Sequence, residues 1–482
     1  MAGPTAEIAD AVDHRRMANG GCPGLCRIVA ARDGGLCRVR LPLGQVSAAQ
    51  LRAIAVAAAR FGNGIVEATN RANLQLRGVG DDNAAALIDC LVAAGLGPAR
   101  PETDDLRNVM VSPTAGIDRQ QQIDARPLAR ELLALLERTD RHPIRSAKFG
   151  VLVDGGEGIA AIARPHDIWL ASVAAGTRTA LGIAGSPPTD AADTTPFVLI
   201  DPGDAAGAVG ALLAFFDAAA ANDRSVTRYR DLLVRDSRAA IFERLAGRLP
   251  GRIERAANHW RRLTPVPFGH IGLGAQLQHG LVFIGAVPPL SRLSPTMLDR
   301  IADIAEGLGD GGIRLTPWQS IILASVPRTV AHDAVAALEQ AGLVCDPLHP
   351  LAAIVACAGS TGCARALSDT KADALALARA IGPAGKRPPT IHLTGCARSC
   401  AHAGVADATL LAAAPGRYEL FANSSDANGR IGDANGRIGD ANGRLRANGR
   451  FGRRIAGDLT VAQAAAWLSQ PSALATGRGP SG

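Results

Sequence analysis

Two stretches of this chain carry the same succession of apolar and polar positions. Residues 36–96 fall on residues 283–343 without a gap, with identical residues at about seventeen aligned positions, including Pro42/Pro289, Ser47/Ser294, Gly62/Gly309 and Thr69/Thr316. Agreement of that extent marks an internal duplication. Each copy reads strand, helix, strand, helix. An extended run ends at Pro-Leu. A helix then opens at Ser47, with Gln50 placed to complete a capping box, or at Ser294, with Pro295 in the first helical position. Gly62 and Gly309 close those helices. The next runs, VEATNRANLQLRGV from Val66 and IRLTPWQSIILASV from Ile313, alternate as strands with long apolar residues at matching positions.

The pattern predicts an α+β protein whose two similar halves pair about a pseudo-twofold axis. Duplicated halves commonly hold a ligand in the cleft between them. Only the first copy has Arg71 where the second has Trp318, so one side of that cleft is expected to be basic. The copies span residues 20–100 and 263–345. Each is followed by a longer α/β segment, at 104–222 and 350–482. Residues 223–262 read as an arginine-rich helical connector with a solvated charged face. A repeat of turn residues, DANGRIG and its variants, fills 426–452. Its glycines and Asn-Gly pairs preclude a helix, and it is expected to expand a hairpin loop between YELFAN and FGRRIAG.

Composition narrows the class. At 482 residues and 47% hydrophobic content the chain has ample core material. The N-terminus carries Glu7, Asp10 and Asp13 in place of an apolar signal core. The longest apolar run, Val209 to Phe216, stops at Asp217, short of a bilayer span. A cytoplasmic protein without a membrane partner is expected. A net charge of +7 could suit nucleic acid, but aromatics make up only 3% and interleave no basic block, and a polyanionic small molecule suits the charge equally well. Lysine occurs only at 148, 371 and 386.

The candidate chemistry lies in the last third. Cys357 and Cys363 in CAGSTGC, then Cys396 and Cys400 in GCARSC, are two tight pairs about thirty residues apart, a spacing that delivers four thiolates to one inorganic core. Gly359, Gly362 and Gly395 let the backbone curl around it. Structural zinc favours shorter spacers than the five and three residues here, and often includes a histidine. A disulfide framework does not suit a chain without an export signal. An iron-sulfur cluster is the preferred reading. Such a cluster moves single electrons, so a reactive partner must sit beside it. Arg71, Arg77, Arg107, Arg145 and Lys148, in motifs rich in Asn, Thr and Gly, are the candidates to line that partner's site. Cys90 and Cys345, at apolar positions near helices, read as core residues.

TNRANLQLRG (69–78), RNVMVSPTAG (107–116), AKFG (147–150), RLTPWQ (314–319) and the cysteine pattern occur in the order found in the siroheme sulfite and nitrite reductases. From about residue 22 to 410 the chain resembles that family. The resemblance implies duplicated ferredoxin-like half-domains, each followed by a larger α/β domain of the reductase type, with a polycarboxylate tetrapyrrole between them. It implies a 4Fe-4S cluster held by Cys357, Cys363, Cys396 and Cys400. Arg71, Arg107 and Lys148 would then face the macrocycle or an anion bound on it, with Lys148 and Arg107 in catalytic roles.

One departure matters. The reductases usually show Lys-Phe-Lys where this chain has Lys148, Phe149 and Gly150, so one proton-delivering cation is missing. The opening GCPGLCRI, followed by DGGLCRVRLP, resembles instead the precorrin-3B synthases of aerobic cobalamin biosynthesis. There the tetrapyrrole is substrate: precorrin-3A is hydroxylated at C20 with dioxygen, and a γ-lactone closes. This resemblance implies a monooxygenase with a 4Fe-4S cluster, a mononuclear non-haem iron and no siroheme. Its electrons come from NAD(P)H through a donor protein, since no dinucleotide fingerprint is present. Candidate ligands for the second iron are His166, His270 and His279, with Cys22, Cys26 and Cys37 as softer ones. The alternative reading is a siroheme-dependent sulfite or nitrite reductase.

Overall fold

The computed structural model describes residues 21–138, 145–248, 253–255, 260–383, 385, 387–402, 404–423, 451–470 and 474. Glu7, Asp10, Asp13, Lys386 and the repeat up to residue 450 lie outside them. The first copy runs through β1 (Val29–Ala31), β2 (Gly34–Val39), β3 (Gln45–Ser47), the helix Ala48–Phe61, β4 (Val66–Ala68), β5 (Leu74–Val79) and the helix Ala84–Ala93. Then follow β6 (Val109–Val111), the helix Arg126–Glu137, β7 (Val151–Asp154), β8 (His166–Val173), β9 (Arg178–Gly185), β10 (Val198–Ile200), the helix Ala205–Asn222 and β11 (Glu254–Arg255). The second copy holds β12 (Gly272–Ala275), β13 (Leu281–Ala286), β14 (Arg292–Leu293), the helix Pro295–Leu308, β15 (Gly312–Leu315), β16 (Ile321–Pro327) and the helix Ala331–Gln340. Last come β17 (Ile354–Ala356), the helix Thr370–Ile381, β18 (Ile391–Thr394), β19 (Ala408–Ala414), β20 (Arg417–Ala422), β21 (Arg453–Thr460) and the helix Val461–Leu468.

The two copies are interlocked. One five-stranded sheet has the order β1-β2-β5-β4-β14 and the other β12-β13-β16-β15-β3, so each copy completes its sheet with a strand from the other. Gln45–Ser47 pairs with β15, and its repeat counterpart β14 pairs with β4. Between the sheets the helices Ala48–Phe61 and Pro295–Leu308 pack on each other through the same positions: Leu51, Ile54, Ala55 and Ala58 against Leu298, Ile301, Ala302 and Ala305. Small alanines let the two helices approach closely. The pseudo-twofold axis expected from the repeat passes through this contact.

The caps follow the sequence with one difference of cause. Ser47 and Gln50 form the reciprocal capping box, and Ser294 accepts from the Met297 amide. Gly62 and Gly309 end the helices in extended, not left-handed, conformation. Glycine is needed there because an added Cβ would meet the Arg77 carbonyl oxygen at 2.6 Å, or that of Ala324 at 3.0 Å. Left-handed backbone appears elsewhere, again in repeat-related pairs: Leu43 and Leu290 at φ 56° and 52°, Ala72 and Gln319 at 54° and 65°. Such residues are strained, and the second pair lies on the loops that reach the candidate site.

The two α/β domains are also copies of one plan. In the first, β6, β7 and β8 run parallel and β8 to β11 antiparallel; in the second, β17, β18 and β19 are parallel and β19 to β21 antiparallel. The expected hairpin is present, with β20 and β21 paired from Ala422/Arg453 onward. Residues 223–262 prove to be more than a connector. Tyr229, Leu232, Ile241, Phe242 and Leu245 are buried in the same core as Val209, Leu212 and Phe216. The helix Pro202–Asn222 is long and apolar enough to cross a bilayer, because alanines and glycines extend the short apolar run, yet its buried face packs in that core.

Candidate active site

Open α/β sheets bind ligands beyond the carboxyl ends of their parallel strands. In the second α/β domain that edge is made of cysteines. Cys357 directly follows β17, and Cys396 follows β18 after Gly395. The Gly395 amide donates to Cys357 Sγ at 3.2 Å, and Thr370 Oγ1 lies 3.4 Å from the same sulfur while donating to the Cys357 carbonyl at 2.9 Å. A Cβ on Gly395 would press on Ala366 at 2.4 Å, so glycine is what lets this amide reach the sulfur. Cys357, Cys363 and Cys396 are half-buried and Cys400 is exposed. Burial, and then the neighbouring thiols of Cys396, Cys357 and Cys363, push the Cys400 thiol up. All four sulfurs therefore share one neighbourhood.

Among the described residues no three His, Cys, Asp or Glu side chains draw together tightly enough for a single metal ion. Four thiolates on one zinc, each at about 2.3 Å, would crowd to within about 4 Å of one another. A cluster spreads its ligands over its own diameter. Four thiols sharing one neighbourhood, beside an amide donating to sulfur, fit an iron-sulfur core. The candidate ligands of a mononuclear iron do not assemble. His279 is exposed on the β12–β13 turn. His270 stacks on Trp318 with ring centroids 4.4 Å apart. Nδ1 of His166 lies 2.8 Å from the Arg164 carbonyl, and burial followed by Arg71 pushes the ring down to about 3. Cys26 and Cys37 lie in or against the half-domain core. Cys22 is half-buried, and among the described residues these candidates form no site for a second iron.

Basic side chains gather beside the cysteine loop, on the side where the sequence places a basic cleft. The loop Thr69–Asn73 brings Asn70 Nδ2 to the carbonyls of Cys400 and Ala401, both at 3.3 Å. Next on that loop, Arg71 donates from Nη2 to the Lys148 carbonyl at 3.3 Å, and the Lys148 side chain is exposed. Burial pushes Arg71 down to about 10, and Arg228, Arg38 and Arg164 push in the same direction. Arg38 and Arg164 are likewise lowered to about 10, chiefly by burial. All remain charged at neutral pH, so the depression reflects chiefly the cost of holding a charge away from water, to which neighbouring arginines add at Arg71 and Arg38. Arg228 is paired with Asp167 at 2.8 Å. Arg38, Arg71, Arg164 and Lys148 have no carboxylate partner among the described residues. Trp318, the repeat counterpart of Arg71, presents an indole stacked on His270.

Three expected site residues are elsewhere. Arg77 spends its donors on Asp33, Glu67 and the Gly362 carbonyl, at 2.8 Å for the last, and its side chain is 3% exposed. It braces the turn before Cys363 and does not open into the cleft. Arg145 is paired with Asp217 and lies over the Phe149 ring, fixing the helix Ala205–Asn222. Arg107 turns inward to Glu137 at 3.1 Å and to the Leu96 carbonyl. In a chain this rich in arginine, motif membership did not separate bracing guanidiniums from free ones. Arg38, Arg164 and Arg228 carried no distinguishing signal in the sequence.

The same strand ends in the first α/β domain are filled differently. Asp154 closes β7 and is paired with the buried Arg262 at 2.6 Å, while Asp118 accepts from Thr114 Oγ1 at 2.7 Å. Glu157, fully buried beside them, is pushed up to about 8 by burial and by Asp154. An unfolded glutamate titrates near 4.5. The folded state thus holds this proton longer, and the stability tied to it is complete below the unfolded value and lost as pH rises through about 8. Glu157→Gln should melt like the parent in mild acid and at a higher temperature in mild alkali. Thermal unfolding at both pH values checks this, and a parallel drop at both would show that the carboxylate is needed charged.

A duplicated α+β scaffold with four gathered thiols at the strand ends of one domain fits the class of iron-sulfur oxidoreductases. Comparison with known proteins agrees. The family described as "Nitrite/Sulfite reductase ferredoxin-like half domain" matches residues 30–94 and 275–341, and "Nitrite and sulphite reductase 4Fe-4S domain" matches 102–248. The chain belongs to the nitrite/sulfite reductase superfamily. It is 31% identical to a precorrin-3B synthase from Sinorhizobium sp over 86% of its own length and 84% of the relative's. It is 30% identical to the chloroplastic ferredoxin–nitrite reductase of Zea mays, over 77% of this chain and 68% of that one. The solved structure of the Mycobacterium tuberculosis NirA protein superposes with a TM-score of 0.64 over 81% of this chain and 74% of that one, at 22% identity, which speaks to the fold. The stretch matched as the 4Fe-4S domain contains no cysteine; the four gathered here lie in its counterpart, residues 350–482.

Proposed function

We propose that this chain is a precorrin-3B synthase, hydroxylating precorrin-3A at C20 with dioxygen as a γ-lactone closes. The observation that carries the reading is the cleft of Arg38, Arg71, Arg164 and Lys148, cations without carboxylate partners beside Cys400. A tetrapyrrole bearing several carboxylates supplies the missing counter-charge. Trp318 offers a flat face for the ring. Gly150 leaves the site without a second lysine, which suits a macrocycle that is substrate better than repeated protonation of a small oxyanion.

Cys357, Cys363, Cys396 and Cys400 would hold a 4Fe-4S cluster, which supplies single electrons when bound. One oxygen atom of O2 enters the substrate and the other leaves as water. The two electrons and two protons required come from NAD(P)H and a proton, through a donor protein. Arg71 and Arg38 grip carboxylates, Arg164 adds its charge behind them, and Lys148 acts as a point charge at the mouth. The second reading, a siroheme-dependent nitrite or sulfite reductase, is favoured by relatives such as that of Zea mays at similar identity.

Anaerobic purification with absorption spectroscopy and iron and sulfide analysis, followed by precorrin-3A under air and reductant, separates the two. A cluster without a Soret-type band, in protein that converts precorrin-3A to the hydroxylated lactone, is the expected result. Bound siroheme with nitrite or sulfite turnover would overturn it.

A further inference from the structure

Arg164 stands apart from the other arginines of the cleft. It donates from Nη1 to the Asn70 carbonyl and from Nη2 to the Pro317 carbonyl, the latter at 2.9 Å. Asn70 and Pro317 are the same position in the two copies of the repeat. One planar guanidinium therefore spans the pseudo-twofold axis, a geometry that a fork of donors can satisfy and a point charge cannot. The loops it ties are the two that hold the last cysteine's segment. Asn70 Nδ2 donates to the carbonyls of Cys400 and Ala401, and Gln319 Nε2 donates to that of Ala401 at 3.1 Å.

Arg164 lies near enough to Arg71 to lower its proton affinity, and it has no carboxylate partner among the described residues. A ligand anion in the cleft would offset this charge and stiffen the two loops together. A buried cation near a cluster favours the reduced, more negative form, so compensating it favours the oxidised form.

We propose that Arg164 is a positioning residue that couples occupancy of the basic cleft to the Cys400 loop, linking anion binding to the reduction potential of the cluster. The proposal rests on the cleft being an anion site. By linkage, whatever the anion does to the potential, reduction of the cluster must do to the anion's affinity.

The test uses the full chain, purified anaerobically with its cluster, as wild type, Arg164→Lys and Arg164→Gln. Thermal melting first confirms that each variant is folded. The probe is uroporphyrin, a stable tetrapyrrole octacarboxylate. Reduction potential and amide hydrogen exchange over residues 400–402 are read with and without it. In the wild type, uroporphyrin should lower the potential and slow exchange. Arg164→Lys keeps the charge but cannot hold both carbonyls, so exchange should be about tenfold faster and the ligand-induced shift should shrink. Arg164→Gln should in addition lower the potential of the ligand-free protein.

Uroporphyrin binding with wild-type shifts and exchange in both variants would overturn the proposal and leave the cleft reading standing. No binding by the wild type would overturn the cleft reading and the proposal with it.

Discussion

Serine in place of Cys357 should strip the protein of iron, of acid-labile sulfide and of activity together. Cys357 begins at the carboxyl end of β17 and its sulfur receives the Gly395 amide, so both its backbone and its electronic environment are set before any core is bound. A hydroxyl is a poor substitute for a soft thiolate, and nothing nearby replaces it, since Thr370 is already bonded to the Cys357 carbonyl. Loss of a mere supporting partner at a metal site costs about 10–100-fold. Loss of a ligand should exceed that, taking turnover to background. Cys345→Ser is the control: that thiol is buried in the half-domain core, so the change should cost stability and leave iron content alone. Full iron and sulfide in Cys357→Ser would remove this cysteine from the ligand set.

Arg71→Ala should weaken tetrapyrrole binding while leaving the free protein at least as stable. A charge-assisted hydrogen bond to a carboxylate contributes about 1.5–3 kcal/mol, equivalent to about 10–150-fold in affinity. Within the protein itself the same guanidinium is crowded by Arg228, Arg38 and Arg164, and its removal relieves that repulsion. Affinity and melting temperature should therefore move in opposite senses, which a simple folding defect would not produce. Arg145→Ala should behave otherwise, because it orphans Asp217 and unpins a core helix: stability should fall. Equilibrium titration with uroporphyrin and a melting curve on each variant decide the matter. An unchanged affinity in Arg71→Ala would take this residue out of the site.

Much of the architecture was legible because duplication leaves the same apolar pattern twice. Pro42, Ser47, Gly62 and Thr69 announce it, and each has its partner at the matching place. The second level of duplication, that of the α/β domains, was not legible. Its strands have the same order and sense, but the residues at their ends have diverged to Asp154 and Arg262 in one domain and to cysteines in the other. The thiols could be read because spacing alone constrains them. The cations could not, since a guanidinium that braces Gly362 and one that waits for a ligand occupy similar motifs. Only carboxylate partners separate them: Arg77 has Asp33 and Glu67, while Arg71 has no carboxylate among the described residues. The amphipathic pattern of 223–262 concealed Tyr229 and Ile241, which are buried in the core that the preceding helix Ala205–Asn222 shares with the sheet.

The strand exchanged between the copies has an evolutionary reading. A single ancestral copy could not have completed its own sheet, since the fifth strand always arrives from the other half. Such a unit is viable only as a symmetric pair, each subunit lending its partner a strand. The present polypeptide is that pair fused end to end. Fusion freed the halves to specialise, so that one could keep an arginine where the other took a tryptophan, and one domain could acquire thiols where its twin closed on an ion pair.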